Sequence, residues 1–123
     1  MSASPEAVAR ILVVDDDPDL RRMLTLALTD EGYDVRAVEN GRAALDMLET
    51  WRPRVILLDL MMPDGDGWAF RARQLATPGT ADVPVVILSA AGDVAVDSLR
   101  PAAFVPKPFN LELLLTTVAD LAH

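Results

Sequence analysis

Five short apolar runs alternate with amphipathic stretches along this chain. The runs at about Ile11 to Asp15, Arg54 to Asp59 and Val83 to Ser89 are rich in Val, Ile and Leu. Such runs are typical of strands that are buried on both faces of a sheet. Tyr33 to Val38 alternates between apolar and polar residues, which predicts a half-buried edge strand, and Ala103 to Val105 predicts a fifth strand.

The stretches between these runs have the spacing and the boundary residues of helices. Asp17 is predicted to cap the first helix, with Pro18 at its first position, and Gly32 to end it. Asn40 is predicted to open the second helix, and Asp66 to cap the third. Strands and helices that alternate in this way predict a parallel sheet with right-handed crossovers and helices on both faces.

The last two helices are predicted to differ in length. A short fourth helix is expected over about Val94 to Leu99, between Gly92 and Pro101, and a helix this short is marginal on its own. The last helix places its apolar residues on one face. These residues are Leu111, Leu114, Leu115, Val118 and Leu121.

Length, charge and composition restrict the class of protein. The chain has 123 residues, 51% of them hydrophobic, which is enough for one domain with a core. We expect residues 1–9 to form a flexible leader and residues 10–123 to form the domain. The net charge of −8 argues against nucleic acid binding. The sequence has no cysteine, no signal peptide pattern and no apolar run long enough to cross a membrane, so we expect a cytoplasmic protein.

Acidic side chains are concentrated where two of the predicted strands end. Asp15 and Asp16 follow the first run, and Asp59 ends the third. The carboxyl ends of parallel strands meet at one edge of the sheet, so these acids should converge there with Ser89 and Lys107. Carboxylates so close together would repel one another strongly unless a cation lay between them. The sequence therefore predicts a divalent metal site at this edge.

Four segments fall in order on the predicted elements: Leu12 to Asp17, Leu58 to Gly67, Val86 to Ala90, and Lys107 to Phe109. With these segments the chain resembles the receiver domain of two-component response regulators over nearly its whole length. The resemblance implies an α/β, flavodoxin-like (βα)5 three-layer sandwich, whose five-stranded parallel sheet has the order 2-1-3-4-5. Here its fourth helix would be shortened. It also implies a phosphoacceptor signalling switch of a two-component phosphorelay.

The resemblance assigns the phosphoryl chemistry to three side chains. Asp59 would accept the phosphoryl group, Ser89 would hydrogen-bond to it, and Lys107 would pair with its oxygens or, without phosphate, with Asp59. Ser89 and Phe104 would occupy the switch positions of the family. The bond between Lys107 and Pro108 is expected to be cis.

The resemblance also implies a magnesium site. Asp16 and Asp59 would bind Mg²⁺ directly, together with the backbone carbonyl of Met61, whereas Asp15 would act mainly through a bound water. Oxygen ligands of this kind suit Mg²⁺, and Mn²⁺ is expected to substitute for it.

Two further positions in the family flank the phosphoryl group and tune its hydrolysis. Here they are Met61 and Ala91, and neither side chain can orient a water by hydrogen bonding. We therefore expect slow loss of phosphate, and no enzymatic activity beyond the domain's own Mg²⁺-dependent phosphorylation and slow autodephosphorylation. The implied partners are a sensor histidine kinase or a histidine phosphotransfer protein and an output partner or domain. The domain would be a monomer or a phosphorylation-dependent dimer that contacts neither nucleic acid nor membrane.

Three other functions use similar features. A phosphatase of the haloacid dehalogenase type would use Asp15 and Asp17 as its Asp-x-Asp motif, but it would leave Asp59 idle and needs a later acidic pair. A flavin-binding module of the same fold needs an anion-friendly phosphate loop, which the acids after the first strand would not provide. A receiver-like scaffold that only binds proteins would not need the complete set of acids, hydroxyl and lysine.

Overall fold

Strands and helices alternate through the part of the chain that the computed structural model describes, which is residues 8–63, 66–90 and 99–122. The elements are β1 Arg10–Val14, α1 Pro18–Asp30, β2 Asp34–Val38, α2 Gly41–Leu48, β3 Val55–Asp59, α3 Asp66–Ala76, β4 Val85–Ala90, β5 Ala103–Lys107 and α4 Leu111–Ala122. None of the helices in these ranges is long and apolar enough to span a membrane.

All five strands form one parallel sheet with the order β2-β1-β3-β4-β5. This order is the flavodoxin-like order that the family resemblance implies. The strands β2 and β5 lie at the edges of the sheet, which confirms the edge position predicted for the alternating run Tyr33 to Val38. Pro106 in β5 lacks an N–H group, and an edge strand tolerates that loss because one side of its ladder is unpaired.

The sheet separates two apolar cores, which gives the predicted three layers. Successive side chains of a strand point to opposite faces, so Leu12 and Val14 of β1 pack with α2 and α3, whereas Ile11 and Val13 pack with α1 and α4. Every residue of β3 is buried, as expected for a central strand. Because both cores hold the sheet, the ends of its strands form a rigid edge for a site.

The caps of the first two helices are as predicted, but the third differs. Asp17 accepts the N–H groups of Asp19 and Leu20 at the start of α1, and Asn40 caps α2. Asp66 does not cap α3: it is the first residue of that helix, and its carboxylate accepts the N–H of Gly41 in α2. The carboxylate is thus used between two helices rather than within one.

Some expectations fall on residues outside the described ranges. These are the leader up to residue 7, Ala91, and the short fourth helix apart from Leu99, which is buried in the core shared with α2 and α3. They remain predictions from the sequence.

Candidate functional site

Three carboxylates meet where β1 and β3 end. Asp15 and Asp16 follow β1, Asp59 is the last residue of β3, and one carboxylate oxygen of each lies within 4.8 Å of the others. Asp15 and Asp59 are buried, whereas Asp16 is exposed. The predicted convergence of these acids is therefore observed, and one of them opens the cluster to solvent.

Lys107 joins the cluster from the end of β5. Its Nζ lies 3.3 Å from Asp15 Oδ2 and 3.4 Å from Asp59 Oδ1. About a quarter of the lysine side chain is exposed, whereas the two carboxylates are almost fully buried. One ammonium cannot neutralise three carboxylates, so an excess of negative charge is left at this edge of the sheet.

Backbone contacts orient the two buried carboxylates. Asp15 Oδ1 accepts the N–H of Asp17 at 2.9 Å, and Arg21 donates to the Asp15 carbonyl at 2.8 Å. Asp59 Oδ1 accepts the N–H of Met61 at 2.9 Å. The bonds from the N–H groups of Asp17 and Met61 each span two residues. The loops after β1 and β3 therefore hold the two carboxylates in place.

The environment of Asp15 disfavours its charged form. Burial raises the pKa of Asp15 above its usual value of 3.8, the N–H of Asp17 opposes this rise, and the neighbouring charge of Asp59 adds to it. Lys107 lowers the pKa both through its charge and through its hydrogen bond. Burial and the charge of Asp59 therefore outweigh the opposing effects of Lys107 and the Asp17 N–H on the pKa of Asp15.

Ser89 lies in β4, next to the end of β3. In the β3–β4 register Asp59 pairs with Leu88, so Ser89 is one residue further along β4. Ser89 is fully buried, and its Oγ has no hydrogen-bond partner among the residues that the structure describes. A buried hydroxyl without a partner is costly, and a ligand bound at this edge could supply one.

Of the remaining predicted positions, the structure describes Phe104, Met61, Pro108 and Asp17. Phe104 in β5 pairs with Ile87 and is partly exposed, and the Met61 side chain is exposed beside Asp59. The bond between Lys107 and Pro108 is cis, as predicted. Asp17 serves as the cap of α1, as the sequence predicts.

The donor set fits a hard divalent cation. Carboxylate oxygens are ligands that Mg²⁺ prefers, and several lie within reach of one ion here. The negative charge that Lys107 leaves uncompensated would be reduced by such an ion. Asp16 is exposed, so its carboxylate would be open to such an ion and to the waters that Mg²⁺ commonly retains.

One residue beside the cluster was not identified from the sequence. Gly67 lies in the first turn of α3 and packs directly on the backbone at Asp59 and Leu60. A glycine inside a helix costs about 1 kcal/mol relative to alanine, so its presence there often marks a packing requirement. That signal was available in the sequence, but it gives no indication of which backbone the glycine contacts.

Comparisons with known proteins agree with this geometry. The family model for the response regulator receiver domain matches residues 11–119. The response regulator MprA of Mycolicibacterium vanbaalenii is 42% identical over 116 residues, which cover 91% of this chain and 49% of MprA. The regulatory protein AtoC of Escherichia coli is 38% identical over 112 residues, which cover 88% of this chain and 24% of AtoC. The chain thus spans half or less of the length of these relatives.

Solved structures give the same result for the fold. A response regulator receiver protein from Pseudomonas putida superimposes with a TM-score of 0.86 at 26% identity, covering 97% of this chain and 99% of that chain. The matched region contains the strand order, the acidic cluster and the lysine described above. From its sequence, its fold and the edge at which its acids meet, this chain belongs to the family of response regulator receiver domains.

Proposed function

We propose that Asp59 accepts a phosphoryl group and that the resulting aspartyl phosphate switches the domain between two states. One observation carries the proposal: the carboxylate at the tip of the central strand lies 3.4 Å from an ammonium and within 4.8 Å of two further acids. A carboxylate is a competent nucleophile when nearby groups compensate the charge that builds up around it.

The reaction exchanges one bond to phosphorus for another. An oxygen of the Asp59 carboxylate forms a new bond to phosphorus as the bond to the donor breaks, and the bonding electrons leave with the donor. The donor is a phosphorylated histidine side chain in a partner, or a small acyl phosphate. Lys107 is placed to neutralise the transferred oxygens, because its Nζ already contacts Asp59 Oδ1.

The roles proposed for Ser89 and Phe104 follow from their places in β4 and β5. The Ser89 hydroxyl has no partner in the described part of the chain, so it is available to donate to a phosphoryl oxygen. Phe104 pairs with Ile87, two residues before Ser89, so movement at Ser89 can reach the ring through the β4–β5 pair. The phosphoryl group would favour one arrangement by binding it more tightly.

Mg²⁺ is the proposed cofactor, held by Asp16, by Asp59 and by the Met61 carbonyl, with Asp15 acting through a water. When bound, the ion would reduce the repulsion between the carboxylates and the incoming phosphoryl group. Mn²⁺, which also accepts carboxylate and carbonyl ligands, is proposed to substitute for it.

The proposed partners are a sensor histidine kinase or a histidine phosphotransfer protein and an output domain or output protein. The family assignment supports both, because a receiver in a response regulator couples a phosphoryl donor to an output. Beyond its own phosphorylation and slow dephosphorylation, we propose no catalytic turnover by this domain.

Intact mass measurement after incubation with acetyl phosphate and Mg²⁺ tests the proposal. The wild-type chain should gain one phosphoryl group, and Asp59→Asn should gain none. Asp30→Asn is the matched control, since it makes the same substitution at an exposed acid of α1 outside the cluster and should gain the phosphoryl group as the wild-type chain does. A phosphoryl group that persists in Asp59→Asn would contradict the proposal.

The same preparation, extended to Asp15→Asn, distinguishes the alternatives. Steady hydrolysis of a phosphomonoester that Asp15→Asn abolishes and Asp59→Asn leaves unchanged would favour a haloacid dehalogenase-type phosphatase. Absence of any adduct on a folded chain, with the acidic cluster intact, would favour a scaffold that only binds proteins. Neither alternative is favoured by the family to which the chain belongs.

A further inference from the structure

Gly67 lies closer to the phosphoacceptor backbone than any other residue type could. A Cβ atom added at Gly67 would be 2.5 Å from the carbonyl oxygen of Asp59 and 2.8 Å from the Cα of Leu60. Real Cβ atoms essentially never approach other heavy atoms within 3.0 Å. Both contacted atoms belong to the backbone, so no side-chain rotation can relieve the overlap.

The backbone under Gly67 carries the central parts of the site. Asp59 supplies the carboxylate near Lys107, and Met61 supplies both the N–H that this carboxylate accepts and the carbonyl proposed to bind the cation. The Asp59–Leu60 peptide connects these groups. A shift of that peptide would therefore move the carboxylate and the carbonyl together.

A second contact fixes the first turn of α3 from the other side. The carboxylate of Asp66, the residue before Gly67, accepts the N–H of Gly41 at the start of α2 at 2.5 Å. Phe70, one turn further along α3, is buried in the core that α3 shares with α2. The first turn of α3 is thus held between α2 and the end of β3.

We propose that Gly67 is a positioning residue for the phosphoacceptor site: the first turn of α3 rests on the Asp59–Leu60 peptide and fixes the Asp59 carboxylate against Asp15 and Lys107. This inference rests on the proposed function. Any side chain at position 67 must separate the two backbones by at least about 0.5 Å to reach 3.0 Å. A displacement of this size matters, because sites of this kind need their groups within about 0.5 Å of the productive geometry.

The experiment compares Gly67→Ala with the wild-type chain by isothermal titration calorimetry with Mg²⁺ and by the rate of phosphorylation from acetyl phosphate. We expect Mg²⁺ to bind about tenfold more weakly and the maximal phosphorylation rate to fall by about tenfold or more, since a misplacement of about 1 Å can cost about a hundredfold. Circular dichroism confirms that each variant is folded at the temperature of the titration.

Gly32→Ala is the matched control. Gly32 follows α1 at a φ of +96°, and beyond its chain neighbours no described residue has an atom within 4 Å of the added Cβ. Alanine there strains the backbone before β2 begins, at the opposite edge of the sheet from the acidic cluster. This variant should lose stability and keep the wild-type Mg²⁺ affinity and phosphorylation rate. A general effect of destabilisation would instead weaken Mg²⁺ binding in both glycine variants.

If Gly67→Ala does not fold, Asp66→Ala decides the question. This substitution removes the hydrogen bond between the first turn of α3 and α2 without adding atoms to the site, and we expect Mg²⁺ to bind about threefold more weakly. Unchanged Mg²⁺ affinity in folded Gly67→Ala, or in Asp66→Ala when the glycine variant does not fold, would overturn the inference. A wild-type chain that binds no Mg²⁺ and gains no phosphoryl group would instead contradict the proposed function itself.

Discussion

Replacing Lys107 with methionine tests the charge balance of the cluster. Methionine keeps the length of an unbranched side chain and removes the ammonium. The two carboxylates that Lys107 contacts at 3.3 and 3.4 Å are almost fully buried, so they would lose the amine without gaining water. We expect the variant to be less stable than the wild-type chain when no metal is present.

The distances set the magnitude of this loss. At an effective dielectric constant of about 20, each contact at 3.3 to 3.4 Å corresponds to an attraction of about 5 kcal/mol. Desolvation and ordering of the lysine oppose this attraction, and breaking a buried pair typically costs about 3–5 kcal/mol. Because about a quarter of the lysine side chain stays exposed, we expect a loss of about 2–3 kcal/mol.

Urea unfolding at pH 7 in EDTA measures the loss, with Arg22→Met as the control. Arg22 is an exposed arginine of α1, so its replacement removes one positive charge without disturbing the cluster and should change stability by less than about 0.5 kcal/mol. Mg²⁺ at saturating concentration should narrow the difference between Lys107→Met and the wild-type chain, because a cation then replaces the missing ammonium.

The pH dependence of this difference has a fixed sign. The pKa of Asp15 is raised in the folded chain, and removing the ammonium that lowers it should raise it further. Stability linked to an acid with a raised pKa is present at low pH and is lost as the pH rises through that pKa. The difference should therefore shrink as the pH is lowered from 7 towards 3.8. A variant as stable as the wild-type chain in EDTA, or a loss independent of pH and Mg²⁺, would refute this reasoning.

Two other predictions concern the same edge of the sheet. Asp15→Asn should stabilise the metal-free chain at pH 7, because burial and Asp59 disfavour the charge at that position, and the gain in stability should vanish as the pH falls towards 3.8. Thermal unfolding across this pH range measures the gain, and a variant less stable than wild type at pH 7 would contradict the prediction. Met61→Asn combined with Ala91→Glu should accelerate loss of the phosphoryl group, because polar side chains can orient the attacking water. The decay of the phosphorylated mass with time measures this rate, and an unchanged or slower decay would count against the prediction.

The apolar runs were sufficient to predict the strands, and the family resemblance supplied their order. β1 and β3 are continuous apolar runs because the sheet is covered on both faces, as is typical of a parallel sheet with helices on both sides. The caps of α1 and α2 followed from Asp17 and Asn40, since each accepts local backbone N–H groups. Convergence of the polar residues followed from the geometry of strand ends in parallel sheets.

Contacts between elements were not predictable from local patterns. Aspartate is a residue type that often caps helices, but the Asp66 carboxylate accepts the N–H of Gly41 in another helix. The sequence spacing of these two residues does not indicate that they lie close together. Arg71 is a second case: this buried arginine donates to the carbonyls of Leu99 and Arg100 before β5. Its burial lowers its pKa, and neither its partners nor its burial follows from its place in α3.

Trp51 makes further contacts between elements that the local sequence does not encode. Trp51 is buried in the core beside α2. Its ring also has the guanidinium groups of Arg10 and Arg36 at 5.6 and 4.7 Å from its centre, from two neighbouring strands. These cation–π contacts depend on the register of β1 with β2, which the sheet sets and the local sequence does not.

The most direct test of the central claim is to locate the phosphoryl group on the chain and to determine whether its attachment needs a divalent cation. Borohydride converts an aspartyl phosphate into homoserine, which peptide mass spectrometry can assign to one position. After incubation with acetyl phosphate, we predict homoserine at position 59 in Mg²⁺ and none in EDTA. Homoserine at position 15 or 16, or equal labelling of Asp59 with and without the cation, would contradict the account.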